Sequence, residues 1–314
     1  MKYPSEIRHT CGILHHLLRQ ATSVSRECDA FQEVIDAGVL RTDDRVRACF
    51  LDLVRARFGR RLDDEFRDHM GIADCARRIQ VLPQVESPLS RQVIRQGCPG
   101  SGRVLLFPGI HGSVAAFHRL AGIMPESMEV VGWDHLGLDE RAGIPRKMED
   151  IVAPISQAEI QNGLDLEAPV YVFGFCLGGA LGQAVLHQLA PRNGRLVLLD
   201  AHPAEAVAFY PRWRRGLAIA KAWKVAMSGG TVERRLVRIG TCQLHALARH
   251  RTRPIDADLT LFRSGAPLSF GPLAKEHWNP HARTVKEIVF SDLGHADLFR
   301  CGQEQRITEA FAAA

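Results

Sequence analysis

The chain has 314 residues, 46% hydrophobic and 24% charged. That balance supports one large core plus a smaller domain and excludes collagen, coiled coil and wholesale disorder. The net charge of +5 is too small to imply nucleic acid, and the eight scattered cysteines form neither a CxxC pair nor a Cys/His cluster at zinc spacing. No metal or disulfide framework is therefore expected. The start MKYPSEIRHT lacks a signal-peptide core, and the most apolar stretch, Val170 to Leu186, is broken by Gly174, Gly178, Gly179, Gly182 and Gln183. The expectation is a cytoplasmic protein without a membrane segment.

Residues 1–82 read as a small all-α domain. Ile7, Cys11, Ile13, Leu14, Leu17 and Leu18 recur at helical spacing, as do Val46, Cys49, Phe50, Leu53, Val54 and Phe58 before a stop at Gly59. Ile72, Cys75, Ala76 and Ile79 form a third apolar group. Pro83 and Pro88 bound a linker over 83–88, and Gly97, Pro99, Gly100 and Gly102 continue the change of pattern.

From 89 to 314 short apolar runs alternate with helical segments. Strands are predicted at 103–107, 129–133, 169–174, 195–199, 258–262 and 286–290, and helices at 148–162 and 178–190. This alternation predicts an α/β domain with a mostly parallel sheet covered on both faces, its chemistry at the carboxyl ends of the strands.

Gly174-Phe175-Cys176-Leu177-Gly178-Gly179 joins a predicted strand to a predicted helix. This is the GxSxG nucleophile elbow with cysteine in place of serine. A nucleophile on so sharp a turn needs glycine neighbours, and the helix start aims N–H groups and a positive dipole end at a thiolate or oxyanion. The bland alternative is a small buried cysteine at a glycine-rich junction. His295, in SDLGHADLF after the last strand, is placed as the base. Asp200, at the end of RLVLLD, is the best placed acid, because no Asp or Glu follows the LTLF strand until Glu276; Asp292 and Asp297 are the other carboxylates near the base. After the 103–107 strand, Pro108-Gly109-Ile110-His111-Gly112-Ser113 occupies the place of a second oxyanion donor. The N–H groups of Ile110 and Leu177 are the expected oxyanion hole, each worth about 2.7–4 kcal/mol in the transition state. His111 is expected to line or shield the pocket.

Together LLFPGIHGSVAAFHRLA, GFCLGGALGQAVLHQLA, LVLLDAHP and LGHADLF resemble the type I thioesterase domains that end polyketide synthases and nonribosomal peptide synthetases. The resemblance covers about 89–311 and implies an α/β-hydrolase fold with a triad of Cys176, Asp200 and His295 and a helical lid at about 203–253. It also implies that no cofactor is bound, the acyl chain arriving on the phosphopantetheine of an acyl or peptidyl carrier protein. Eleven Lys or Arg lie between Arg212 and Arg253, among them Arg214, Arg215, Arg234 and Arg235, against the single acid Glu233. They read either as a solvated surface or as a steering field for an acidic carrier. Nucleic acid is a weaker explanation, since no recognition motif accompanies the charge.

Residues 40–79, LRTDDRVRACFLDLVRARFGRRLDDEFRDHMGIADCARRI, are similar to the second half of an acyl carrier protein, in which a serine opens a helix and carries phosphopantetheine. Asp44 stands at that position here, so the resemblance implies a docking or structural unit that cannot carry its own substrate. Two rival readings exist. Dienelactone hydrolases also use a cysteine elbow but lack a long lid and an added helical domain, and an idle hydrolase-fold scaffold would not need Cys176, Asp200 and His295 together.

Overall fold

The computed structural model describes most of residues 91–312, omitting 111, 113, 123, 137–142, 210–218, 221–230, 266–272, 274 and 300–302; before residue 91 it describes only Leu14, Leu18, Arg47, Phe50, Leu51, Val54 and Cys75. These seven are helical, and five of them, Leu14, Leu18, Phe50, Val54 and Cys75, are fully buried. The expected carrier-like unit, its Asp44 and the 83–88 linker otherwise lie outside the described residues.

Seven strands form one sheet in the order β1-β3-β2-β4-β5-β6-β7. They are β1 (Arg91–Arg95), β2 (Arg103–Phe107), β3 (Glu129–Trp133), β4 (Pro169–Phe175), β5 (Asn193–Leu199), β6 (Asp258–Ser264) and β7 (Thr284–Phe290). All neighbours are parallel except β1, which runs antiparallel to β3. The six predicted strands are present within two residues at each end. β1 was not expected from its sequence, Arg-Gln-Val-Ile-Arg, because three of its five residues are polar. Each finds a partner: Arg91 pairs with Glu159, Gln92 with Asp134, and Arg95 donates to the carbonyls of Ala121, Met124, Pro125 and Met128.

Helices cover both faces, which is why the central strands are apolar on both sides. Along β2, Leu105 and Phe107 face a layer containing α2 (Glu149–Gln161) and α3 (Leu177–Leu189), whose Ile151, Ile155, Leu181 and Val185 are buried there. Val104 and Leu106 face the other layer, with Leu120 of α1 (His118–Gly122) and Ile307 of α6 (Gln303–Ala312). Burying side chains of this size contributes about 1.5–3 kcal/mol each. Within the predicted lid span the described elements are α4 (Ala204–Phe209) and α5 (Thr231–Leu247).

Candidate active site

Cys176 follows β4 directly and caps α3 with φ 53° and ψ −120°, a conformation most side chains avoid. Its N–H donates to Leu199 O at 3.0 Å, tying the turn to β5. The flanking glycines are required by close approach. A Cβ on Gly174 would meet the backbone of Gly178 and Gly179, one on Gly178 would strike the carbonyls of Phe107 and Pro108, and one on Gly179 would overlap the Ala201 side chain. The sequence thus permits the tightest possible strand-to-helix turn, with the half-buried thiol at its tip.

Asp200 directly follows β5, also at positive φ, 46°, and its side chain is fully buried. Its Oδ1 accepts the Ser264 N–H at 2.7 Å and its Oδ2 lies 3.0 Å from His295 Nδ1. The loop after β6 was unable to supply a carboxylate, and β6 supplies a backbone amide to hold one from β5. His295 opens the short helical turn His295–Phe299 after β7, and its ring stacks on Phe175 at 4.5 Å between centroids. Burial of the ring favours its neutral form, but hydrogen bonds to Asp200 and Cys176 and their negative charges prevail, raising its pKa to about 10. Cys176, His295 and Asp200 are therefore linked in one line. The alternative carboxylates do other work: Asp292 pairs with Arg306, and Asp297 accepts the Gly294 N–H at 2.8 Å.

The loop after β2 passes beside the thiol. A Cβ on Gly109 would lie 3.1 Å from the Cys176 Cβ, and α5 crosses the next residue so closely that a Cβ on Gly240 would lie 2.6 Å from Ile110 Cγ1. Leu177 follows Cys176 in sequence, and Ile110 follows Gly109, the residue that passes beside Cys176 in space. His111, Arg214 and Arg215 lie outside the described residues. Arg234 is exposed and Arg235 half-buried on α5, where Arg234, Arg238 and His245 form an exposed basic row that Arg249 continues in the turn after the helix.

Sequence reasoning missed His202, two residues after the acid. It is buried, and burial, with the charges of His277 and His295, lowers its pKa to about 4 against the opposing pull of Asp200. A polar residue two positions after the acid in LDAHP was the available signal. Among the described residues no group of His, Cys, Asp or Glu is placed to hold a metal, and no helix is long and apolar enough to cross a membrane.

A mainly parallel sheet with a strained turn after its middle strand, an acid one strand over and a histidine beyond the last strand defines the α/β-hydrolase fold. Within it, residues 102–212 match the family model for the thioesterase domain, a span that includes Cys176 and Asp200 but ends before His295. Solved structures agree on the fold. The RedJ thioesterase of the prodiginine pathway in Streptomyces coelicolor is 18% identical, with a TM-score of 0.54 over 74% of this chain and 96% of that one. The Vlm2 thioesterase domain, solved with a dodecadepsipeptide, is 19% identical, with a TM-score of 0.51 over 71% and 97%. The four-domain nonribosomal peptide synthetase AB3403 is 13% identical with a TM-score of 0.62; the alignment spans 100% of this chain and 26% of that one.

Proposed function

We propose that the chain is a thioesterase that takes an acyl, polyketide or peptidyl chain from a carrier-protein thioester onto Cys176 and releases it. The observation that carries this reading is the continuous line from Cys176 through His295 to the buried Asp200, set against a loop that can donate an N–H. The thioesterase-domain match over 102–212 supports the class, and the alignment of the whole chain with part of a multidomain synthetase supports an assembly-line setting.

In the proposed cycle the Cys176 thiolate attacks the thioester carbonyl, and the N–H groups of Ile110 and Leu177 receive the oxyanion. Collapse breaks the carbonyl–sulfur bond to the carrier, and the departing thiolate takes the proton held on His295. A pKa of about 10 keeps that proton in place at neutral pH. Once Cys176 is acylated its sulfur no longer carries a negative charge, and one of the causes that raised His295 disappears. The ring then becomes a better base toward water, or toward an alcohol or amine of the chain, whose attack frees Cys176. Asp200 holds the ring by Nδ1 throughout. The basic row on α5 is suited to an acidic carrier and its phosphate, and the amino-terminal unit, without a serine at Asp44, to docking.

Cysteine suits transfer. A cysteine thioester retains most of the activation of the incoming thioester, whereas a serine oxoester loses part of it before the second step. Intact-mass analysis with an acyl N-acetylcysteamine thioester tests the reading. The wild-type chain should gain one acyl group and Cys176→Ala none, while Cys176→Ser should acylate but shift product from cyclised or transferred toward hydrolysed or stalled. No adduct on the wild-type chain would overturn the proposal, and an unchanged product ratio in Cys176→Ser would remove the transfer argument.

A further inference from the structure

The turn between β2 and α1 contains Ile110, and two consecutive residues at the end of β3 grip it. Asp134 Oδ1 accepts the Val114 N–H at 2.9 Å, and the His135 N–H donates to Gly112 O at 2.9 Å. His135 Nε2 lies 3.4 Å from Pro108 O, a contact in which Nε2 carries the proton. Inside the turn the Gly112 N–H donates to Gly109 O at 2.9 Å. Both Asp134 and His135 are 2% exposed. Asp134 is in turn held from β1, the strand with no apolar signature, by Gln92 Nε2 at 2.5 Å from Oδ2. The backbone is thus held at Pro108, Gly112 and Val114, on both sides of Ile110.

Burying a carboxylate is costly unless charge-assisted hydrogen bonds repay it, and here they go to a backbone amide of the loop and to an amide side chain on a rigid strand. Packing alone would have called for an apolar residue. The loop also has little room for error, since Gly109 is already against Phe175 and the Cys176 Cβ. A donor displaced by about 1 Å from its target can cost about 100-fold in rate.

We propose that Asp134, seconded by His135 and braced by Gln92, is a positioning residue that fixes the 108–114 loop so that the Ile110 N–H meets the developing oxyanion. The inference rests on the proposed role of Ile110, and its test separates the two. Two reactions of Cys176 in the full chain are compared: acylation by an acyl N-acetylcysteamine thioester, which forms an oxyanion, and alkylation by iodoacetamide, which forms none. Asp134→Ala should slow acylation by about 10–100-fold and leave the alkylation rate and its pH profile unchanged. Asp134→Asn, which keeps an acceptor for the Val114 N–H, should stay within about 5-fold of wild type, and Gln92→Ala should fall between the two. Should Asp134→Ala not fold, Gln92→Ala carries the same comparison. Acylation at the wild-type rate in Asp134→Ala and Gln92→Ala, or acylation and alkylation falling together, would overturn the inference and leave Cys176 as the nucleophile. A wild-type chain that is alkylated but never acylated overturns the proposed function and this inference with it.

Discussion

Two buried carboxylates, one at each side of the sheet, meet opposite fates. Glu159 of α2 is fully buried and accepts from Arg91 Nε at 2.9 Å, Arg103 Nη1 at 2.7 Å and Trp133 Nε1 at 2.8 Å. Its partners are two guanidiniums and an indole, groups that only donate, and the cluster is buried. Asp200 is equally buried, but one oxygen is spent on a backbone amide and the other on an imidazole that is 37% exposed and reaches Cys176. Burial of charge alone therefore does not mark a reactive centre. What separates the two is whether the partner can give up a proton and has a second neighbour to exchange it with.

Removing the proton-exchanging character should have the largest effect. Asp200→Asn keeps an acceptor for the Ser264 N–H but can present an amide N–H to His295, favouring the wrong tautomer. Turnover of a thioester, followed by product release, should fall by about 10³–10⁴-fold with little change in thermal stability. If activity survives within 10-fold, the line from Cys176 to Asp200 is not a working triad.

Glu159→Gln probes the other side. It leaves Arg91 and Arg103 without their shared countercharge and should cost about 3–5 kcal/mol of stability in urea denaturation. The alkylation rate of Cys176 in the folded protein should be unchanged. A loss of reactivity at equal stability would mean that the two carboxylates are not functionally separate.

The smallest effect is a pH dependence confined to the histidine side. His202, with a folded pKa of about 4, takes up a proton in the unfolded chain near pH 6.5 but not in the folded one. Its contribution, about 3 kcal/mol, is therefore present above pH 6.5 and lost as pH falls toward 4. His295 has the opposite sign: raised to about 10, it stabilises the fold below pH 6.5, and that stabilisation fades as pH rises through 10. In urea melts from pH 7 to 4, His202→Gln should flatten the acid limb, and an unflattened limb would assign acid sensitivity elsewhere.

Periodicity made the central parallel strands legible because they are apolar on both faces, while the edge strand β7 is only half-buried, and the elbow was legible because only glycine fits at positions 174, 178 and 179 around Cys176. Asp200 was reached by elimination, and the reason it works, the Ser264 amide, is a backbone contact 64 residues away that no side-chain pattern encodes. β1 was hidden by Arg91, Gln92 and Arg95, whose partners come from α2, the end of β3, and α1 with the loop after it. Asp134 and His135 were hidden differently: after the apolar run EVVGW they read as an ordinary polar strand end, and their targets are main-chain atoms of another loop. His111, Arg214, Arg215 and Asp44 lie outside the described residues.

With the acid carried by β5, β6 contributes only a main-chain N–H, which any residue other than proline at position 264 provides. Between Ser264 and β7 none of Cys176, Asp200 or His295 occurs, and the fixed points there are Gly265, which has no room for a Cβ, and the buried Trp278, which donates to the Ala201 carbonyl beside Asp200. Under the proposed release of an acyl chain, the positions between those fixed points are where a new contour can be grafted while the reacting atoms stay as they are.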